Sequence, residues 1–136
     1  MHSVFIDTVA FVAINNKNEQ FHKSSVEINK NLLMNKVQYY TSNFVLDESI
    51  TLLSKRIGHE QTVDFCEKIS KSGLIKVIHI SETIEKQAWQ IFKKYSDKEY
   101  SFTDCTSFAV MKNFKIDSAF TNDHHFEQMG FEILIK

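Results

Sequence analysis

Four carboxylates carry the chemistry open to this chain: Asp7, Glu48, Asp104 and Asp123. Asp104 lies in the stretch Ser101-Phe102-Thr103-Asp104-Cys105-Thr106-Ser107-Phe108-Ala109-Val110-Met111, an acid set into a run that otherwise suits burial. Ser101 followed three places on by Asp104 resembles a capping box with Asp in place of Glu or Gln, so one reading is a helix start. An acid in a first helical turn also faces the positive pole of the helix dipole, which suits a cation ligand equally well. On a helix, Glu48 has Phe44, Val45, Thr51 and Leu52 as neighbours three and four places away. A carboxylate on so apolar a surface must be paired, protonated or bound to metal. Asp47, with Asn43 and Thr51 among its neighbours, reads instead as a solvated charge.

Taken together, the four acids point to a cation. Two like charges about 4 Å apart repel by roughly 4 kcal/mol at an effective dielectric near 20, so such a cluster takes up protons or metal. Oxygen ligands select a hard ion, and Mg²⁺ or Mn²⁺ fits better than zinc. Such ions suit phosphodiester hydrolysis, in which one polarises the phosphate and activates water and a second, if present, stabilises the leaving oxygen.

The elements that must position these acids follow from the apolar pattern. Ser3 to Ile6 reads as a strand covered on both faces, ended by Asp7, and Thr8 to Ile14 as a turn of helix. An amphipathic helix is expected from Glu19 to Met34, with Phe21, Val26, Ile28, Leu32 and Leu33 as its apolar stripe. Val37 to Thr41 is a strand, Ser42 or Asn43 caps a helix over Phe44 to Ile57, and a second helix runs from His59 to Ser72 between Gly58 and Gly73. Leu74 to Ile80 reads as a strand or extended passage, and Ser81 caps a helix to about Tyr95. After the helix from Thr103 to about Asn113 come strands at Ser118 to Thr121 and Phe131 to Ile135. This alternation predicts a single α/β domain over residues 1–136, with a central, mostly parallel sheet of four or five strands and helices on both faces. Ligands of such sheets bind outside the carboxyl ends of the strands, where Asp7 and Asp123 both fall.

Composition narrows the class. A length of 136 residues suits one domain, and 43% hydrophobic with 24% charged residues is globular, without an apolar run long enough to cross a bilayer. No targeting signal is visible, and Cys66 and Cys105 fall in no paired spacing, so a reduced, cytoplasmic setting without membrane association is expected. The net charge of -1 argues against a surface that coats nucleic acid indiscriminately. Of the sixteen basic residues Arg56 alone is arginine, the one side chain able to clamp a phosphate in a forked way; the alternative for Arg56 is a solvated helix end offsetting the dipole.

The runs FIDTVAFVAI, TSNFVLDESITLL, SFTDCTSFAVM and AFTNDHHFEQMGFEIL resemble the PIN-domain ribonucleases, in particular the VapC-type toxins of toxin–antitoxin pairs, over nearly the whole chain. The resemblance implies that Asp7, Glu48, Asp104 and Asp123 are the catalytic, metal-binding acids of an endoribonuclease using Mg²⁺ or Mn²⁺, leaving a 5′-phosphate and a 3′-hydroxyl. It implies a small hydroxyl residue lining the site at Thr121, a homodimer, and an antitoxin partner whose C-terminal arm reaches into the acids. Two departures stand out. The only acid between Asp104 and Asp123 is Asp117, at the far end of its strand, which leaves a second metal site incomplete, and Asn122 stands where an apolar or small residue is expected.

His124-His125 could bind metal or donate a proton, though packing or capping of the following helix is the preferred reading because imidazole suits these ions poorly. Trp89 with Ile84, Ala88 and Phe92 reads as a core stripe rather than a base-stacking platform. Rival enzyme classes fit less well. A haloacid-dehalogenase pattern needs Asp where Val9 stands, and a receiver domain needs paired acids near the first strand. A structure-specific DNA nuclease, or a catalytically silent PIN-like binding module, are the alternatives to an enzyme cutting single-stranded or loop RNA.

Overall fold

Val4, Phe5 and Ile6, three consecutive apolar residues, form the middle of the sheet in the computed structural model, which describes residues 1–136. They belong to β1 (Ser3–Ile6), and all are buried because the sheet is covered on both faces. Then follow α1 (Thr8–Asn15), α2 (His22–Met34), β2 (Gln38–Ser42), α3 (Asn43–Arg56), α4 (His59–Ser72), β3 (Ile75–Ile78), α5 (Glu82–Lys94), α6 (Phe102–Asn113), β4 (Ser118–Phe120), α7 (His124–Gln128) and β5 (Glu132–Ile133). The five strands lie in the order β3-β2-β1-β4-β5, and every pair is parallel.

The strand order reverses direction at β1. With right-handed connections this sends α1 to α4 to one face and α5 to α7 to the other; α1 packs on α2 and α3, α3 on α4, α5 on α6 and α6 on α7, and α3 also meets α6 across the two groups. The reversal opens a crevice at the carboxyl ends of β1 and β4, the position where open α/β sheets bind ligands. Phe108 of α6 sits in the hydrophobic core. It is fully buried and meets Tyr100 and Phe126 edge-on, with ring centroids at 5.1 and 5.0 Å, and each such ring stabilises the fold by about 2–3 kcal/mol through burial.

Several expectations change. α2 begins at His22 rather than Glu19, because Asn16 turns the preceding chain back: its side-chain oxygen accepts the Asn18 N–H at 3.1 Å and its carbonyl the Glu19 N–H at 3.1 Å. Its inner face is Phe21, Ser25, Ile28 and Leu32, while Val26 and Leu33 are exposed. The last strand shortens to Glu132–Ile133. Ile57 caps α3, and Gly58, at φ +95° directly after it, also serves as the start of α4. The core reading of Trp89 and Phe92 fails: α5 turns Ile84, Ala88 and Ile91 to the core, which leaves Trp89 and Phe92 50% and 42% exposed.

Candidate functional site

Each acid reaches the crevice for a local reason. Asp7 ends β1 and precedes α1 in extended conformation without capping it, so its carboxylate is free to face elsewhere. Asp104 sits in a complete capping box: its N–H donates to Ser101 Oγ at 3.0 Å and its Oδ2 accepts the Ser101 N–H at 3.3 Å. Asp123 caps α7, its Oδ1 accepting the His125 N–H at 2.9 Å. Glu48 projects from α3, half-buried, whereas Asp47 is exposed as expected. All four acids line one cavity of about 570 Å³, together with Ser101, Asn122 and His125. The two readings of Ser101 and Asp104 are therefore compatible, since one side chain caps a helix and faces the cavity.

Thr121 does not line this cavity. It is fully buried behind it, its hydroxyl donating to Asp7 Oδ2 at 2.9 Å and accepting the Asp123 N–H at 3.1 Å. Arg56 does line the cavity, as does Glu19, and its Nη1 donates to Glu19 Oε1 at 2.5 Å. Asp117 is exposed, and its carbonyl pairs with Glu132 at the opposite end of β4.

His125 stands closer to the acids than its preferred reading as a packing residue implies. Its Nδ1 lies 3.2 Å from Asp104 Oδ2 and 3.4 Å from Asp123 Oδ1, and its ring packs edge-on against Tyr100 at 5.2 Å. Packing and site contact thus coexist. The signal was its place two residues past an acid that caps a helix, where the first turn points back at the cap. His124 instead points to solvent and meets Glu127 at 2.7 Å.

The electrostatics follow from crowding and burial. Burial raises the Asp7 carboxyl to about 7; the Thr121 hydrogen bond opposes the rise, and Asp104 and Asp123 add to it. Asp104 is raised first by burial and next by Asp123, with His125 pulling it back. A buried acid so raised invites a compensating cation. Ligand atoms of Asp104, Asp123 and His125 lie within 4.8 Å of one another, a spacing able to hold a metal ion, while Asp7 and Glu48 line the same cavity outside that tight group. Thr8, on the same wall, carries a buried Oγ1 with no hydrogen-bond partner. This set of carboxylate oxygens with one imidazole fits a divalent cation.

A family model described as PIN domain matches residues 4–132. The chain is 36% identical over 129 residues to the 23S rRNA-specific endonuclease VapC20 of Mycobacterium tuberculosis, covering 94% of this chain and 95% of the relative. It is 28% identical over 117 residues to a VapC ribonuclease of Archaeoglobus fulgidus, covering 84% and 73%. The crystal structure of M. tuberculosis VapC20, described as a sarcin–ricin loop cleaving toxin, superposes with a TM-score of 0.84 over 95% of this chain and 96% of that one, at 36% identity. DNA-bound VapBC from Salmonella typhimurium, at 15% identity, shares the fold with a TM-score of 0.72 over 98% and 97%.

Proposed function

The chain belongs to the PIN-domain family, alongside its VapC-type members, and from that premise we propose that it is a divalent-metal-dependent endoribonuclease acting as the toxin of a toxin–antitoxin pair. The observation that carries this reading is the convergence of Asp7, Glu48, Asp104 and Asp123 on one cavity at the sheet's reversal point.

In this reading Asp7, Glu48, Asp104 and Asp123 hold Mg²⁺ or Mn²⁺, with His125 beside Asp104 and Asp123. Bound there, such an ion would supply Lewis acidity toward a phosphodiester and would lower the pKa of a water molecule. Asp7 is fixed by Thr121, which acts from behind the cavity as a positioning residue and not as a substrate contact. The capping box fixes the Asp104 carboxylate, and the α7 cap fixes Asp123. Arg56, on the cavity wall, is the group suited to a substrate phosphate. Residues 1–136 form one nuclease domain, and the substrate is single-stranded or loop RNA. The names of the M. tuberculosis relative make a ribosomal RNA loop the first substrate to try. An antitoxin covering the acids and a second copy of this chain complete the cytoplasmic assembly; no helix is long and apolar enough to cross a membrane.

The test is cleavage of a sarcin–ricin-type hairpin, a mixed-sequence single-stranded RNA and its DNA counterpart, each with Mn²⁺ or EDTA, by wild type and Asp104→Asn. RNA cutting that needs the metal and vanishes in the variant supports the assignment. Cutting of DNA alone moves the reading to a DNA nuclease, and cutting that persists in EDTA and in the variant removes the metal mechanism.

A further inference from the structure

The cavity presents an unusual problem to a polyanion. Its lining carries Asp7, Glu19, Glu48, Glu99, Asp104 and Asp123, and Arg56 is the only lysine or arginine among the lining residues. A bound cation answers the repulsion at the acids themselves; a strand running past them needs a fixed positive group for a neighbouring phosphate. Arg56 is that group, yet its guanidinium is engaged by Glu19, 37 residues away in the chain and also on the cavity wall. Glu19 is itself held in place. Asn16 Nδ2 donates to the same Oε1 at 3.4 Å, and Asn16, 8% exposed, ties the turn before α2 through its contacts to Asn18 and Glu19.

We propose that the Glu19–Arg56 ion pair is a clasp opened by the substrate: a backbone phosphate of the RNA displaces the Glu19 carboxylate from the Arg56 guanidinium. The inference rests on the nuclease reading of the acid cavity. Phosphate and carboxylate compete for the same forked donor, and the guanidinium geometry suits both. Both side chains are partly exposed, 45% for Arg56 and 28% for Glu19, and an ion pair so placed is screened and exchanges readily. Glu19 therefore acts as a specificity-determining residue. It opposes small or misplaced anions, and it yields only to a strand whose phosphate falls on Arg56 while the scissile group lies at the acids.

Because Arg56 is the only arginine, arginine-selective ¹⁵N labelling gives one side-chain Nε–H signal in the whole protein. The experiment titrates a single-stranded RNA oligomer into full-length protein in EDTA, following that signal and the backbone amides, and repeats it with Glu19→Gln, Arg56→Lys and the double variant. Gln keeps the contact to Asn16 while removing the charge. The clasp predicts that RNA shifts the Arg56 signal, that Glu19→Gln moves it toward the free guanidinium before RNA is added, and that Glu19→Gln tightens RNA binding about two- to fivefold. It also predicts that Arg56→Lys weakens binding and that Glu19→Gln brings no gain in the Arg56→Lys background. An Arg56 signal unmoved while amides around Asp7 and Asp104 respond overturns the clasp and leaves the nuclease reading standing. Weakening by Glu19→Gln equal to that by Arg56→Lys makes the pair a structural strut and also overturns it. RNA that moves no signal at all overturns the clasp when wild type still cuts RNA in Mn²⁺, and an absence of cutting as well removes the nuclease reading with it.

Discussion

The Thr121 hydroxyl donates to Asp7 Oδ2 at 2.9 Å across 114 residues of chain, joining the turn after β4 to the end of β1. The same oxygen accepts the Asp123 N–H at 3.1 Å, so one buried group sets two of the four acids. Thr121→Val keeps the shape and removes both bonds. Leaving a buried carboxyl and an N–H unpaired should cost about 1–3 kcal/mol of stability. RNA cleavage should fall about tenfold or more, because misplacement at the reacting centre is costly. Thr121→Ser should restore most of both. Thermal denaturation beside cleavage rates checks this, and a Val variant as active as wild type would remove the positioning role.

Asp7 gives a pH dependence of definite sign. Its carboxyl is raised to about 7 in the folded state from an ordinary 3.8, so the folded protein binds the proton more tightly than the unfolded chain. Its contribution is neutral below about pH 4, becomes increasingly destabilising as pH rises toward 7, and is constant above. The full span is on the order of 4 kcal/mol without metal. Asp7→Asn removes this burden while retaining an acceptor for Thr121. The metal-free variant should match wild type near pH 4, exceed it in Tm at pH 8, and cut no RNA. Mn²⁺ should raise the Tm of wild type at pH 8 far more than that of the variant. A difference between the two proteins that does not change with pH would refute the buried-charge account.

Three of the acids were legible in the sequence because they stand beside a punctuation mark: a strand end at Asp7 and Asp123, a helix start at Asp104. Glu48 was legible through its apolar neighbours, which mark a helix face turned inward. The helix starts followed for the same reason, since all but that of α2 carry Ser, Asp or Gly at the cap. What was hidden depends on rotation and on distant partners. Trp89 and Ala88 are adjacent in sequence, and only the packing of α5 against α6 decides which one is buried. Arg56 could be placed near the Glu48 face by helical spacing, but its partner Glu19 lies in a turn that Asn16 shapes.

The exposed face of α5 carries its own test of the second copy. Trp89 and Phe92 stack there at 5.8 Å, and Phe92 meets Phe102 at 6.3 Å. Glu85 lies four residues before Trp89 and Lys93 four after, so an antiparallel copy of α5 crossing at Trp89 sets each acid against an opposite charge while burying the aromatics. Trp89→Lys should convert a dimer to a monomer in light scattering at micromolar concentration, with the melting temperature of the monomer unit little changed. A variant that remains dimeric would move the interface elsewhere, and a monomeric wild type would remove the homodimer.

Three helices end in the same way, and two of them use an unsuitable residue. After α7, Gly130 at φ +91° donates to Glu127 O at 2.9 Å and Phe131 to Phe126 O at 3.0 Å, a Schellman closure. After α2, Lys36 at φ +55° donates to Leu33 O and Val37 to Leu32 O, both at 3.1 Å; after α6, Lys115 at φ +55° donates to Lys112 O at 3.4 Å and Ile116 to Met111 O at 2.9 Å. A left-handed lysine costs about 1–2 kcal/mol relative to glycine, partly offset by the greater freedom glycine loses on folding. Lys36→Gly and Lys115→Gly should therefore each stabilise by about 0.5–1 kcal/mol, and additively, since the two turns belong to different connections. The reverse change, Gly130→Lys, should destabilise by a similar amount. No atom lies within 4 Å of a Cβ built there, which leaves backbone strain as the cost. Urea denaturation of the three variants and the double variant measures this. Destabilisation by both lysine replacements would show that lysine contacts outweigh the strain of the left-handed turn.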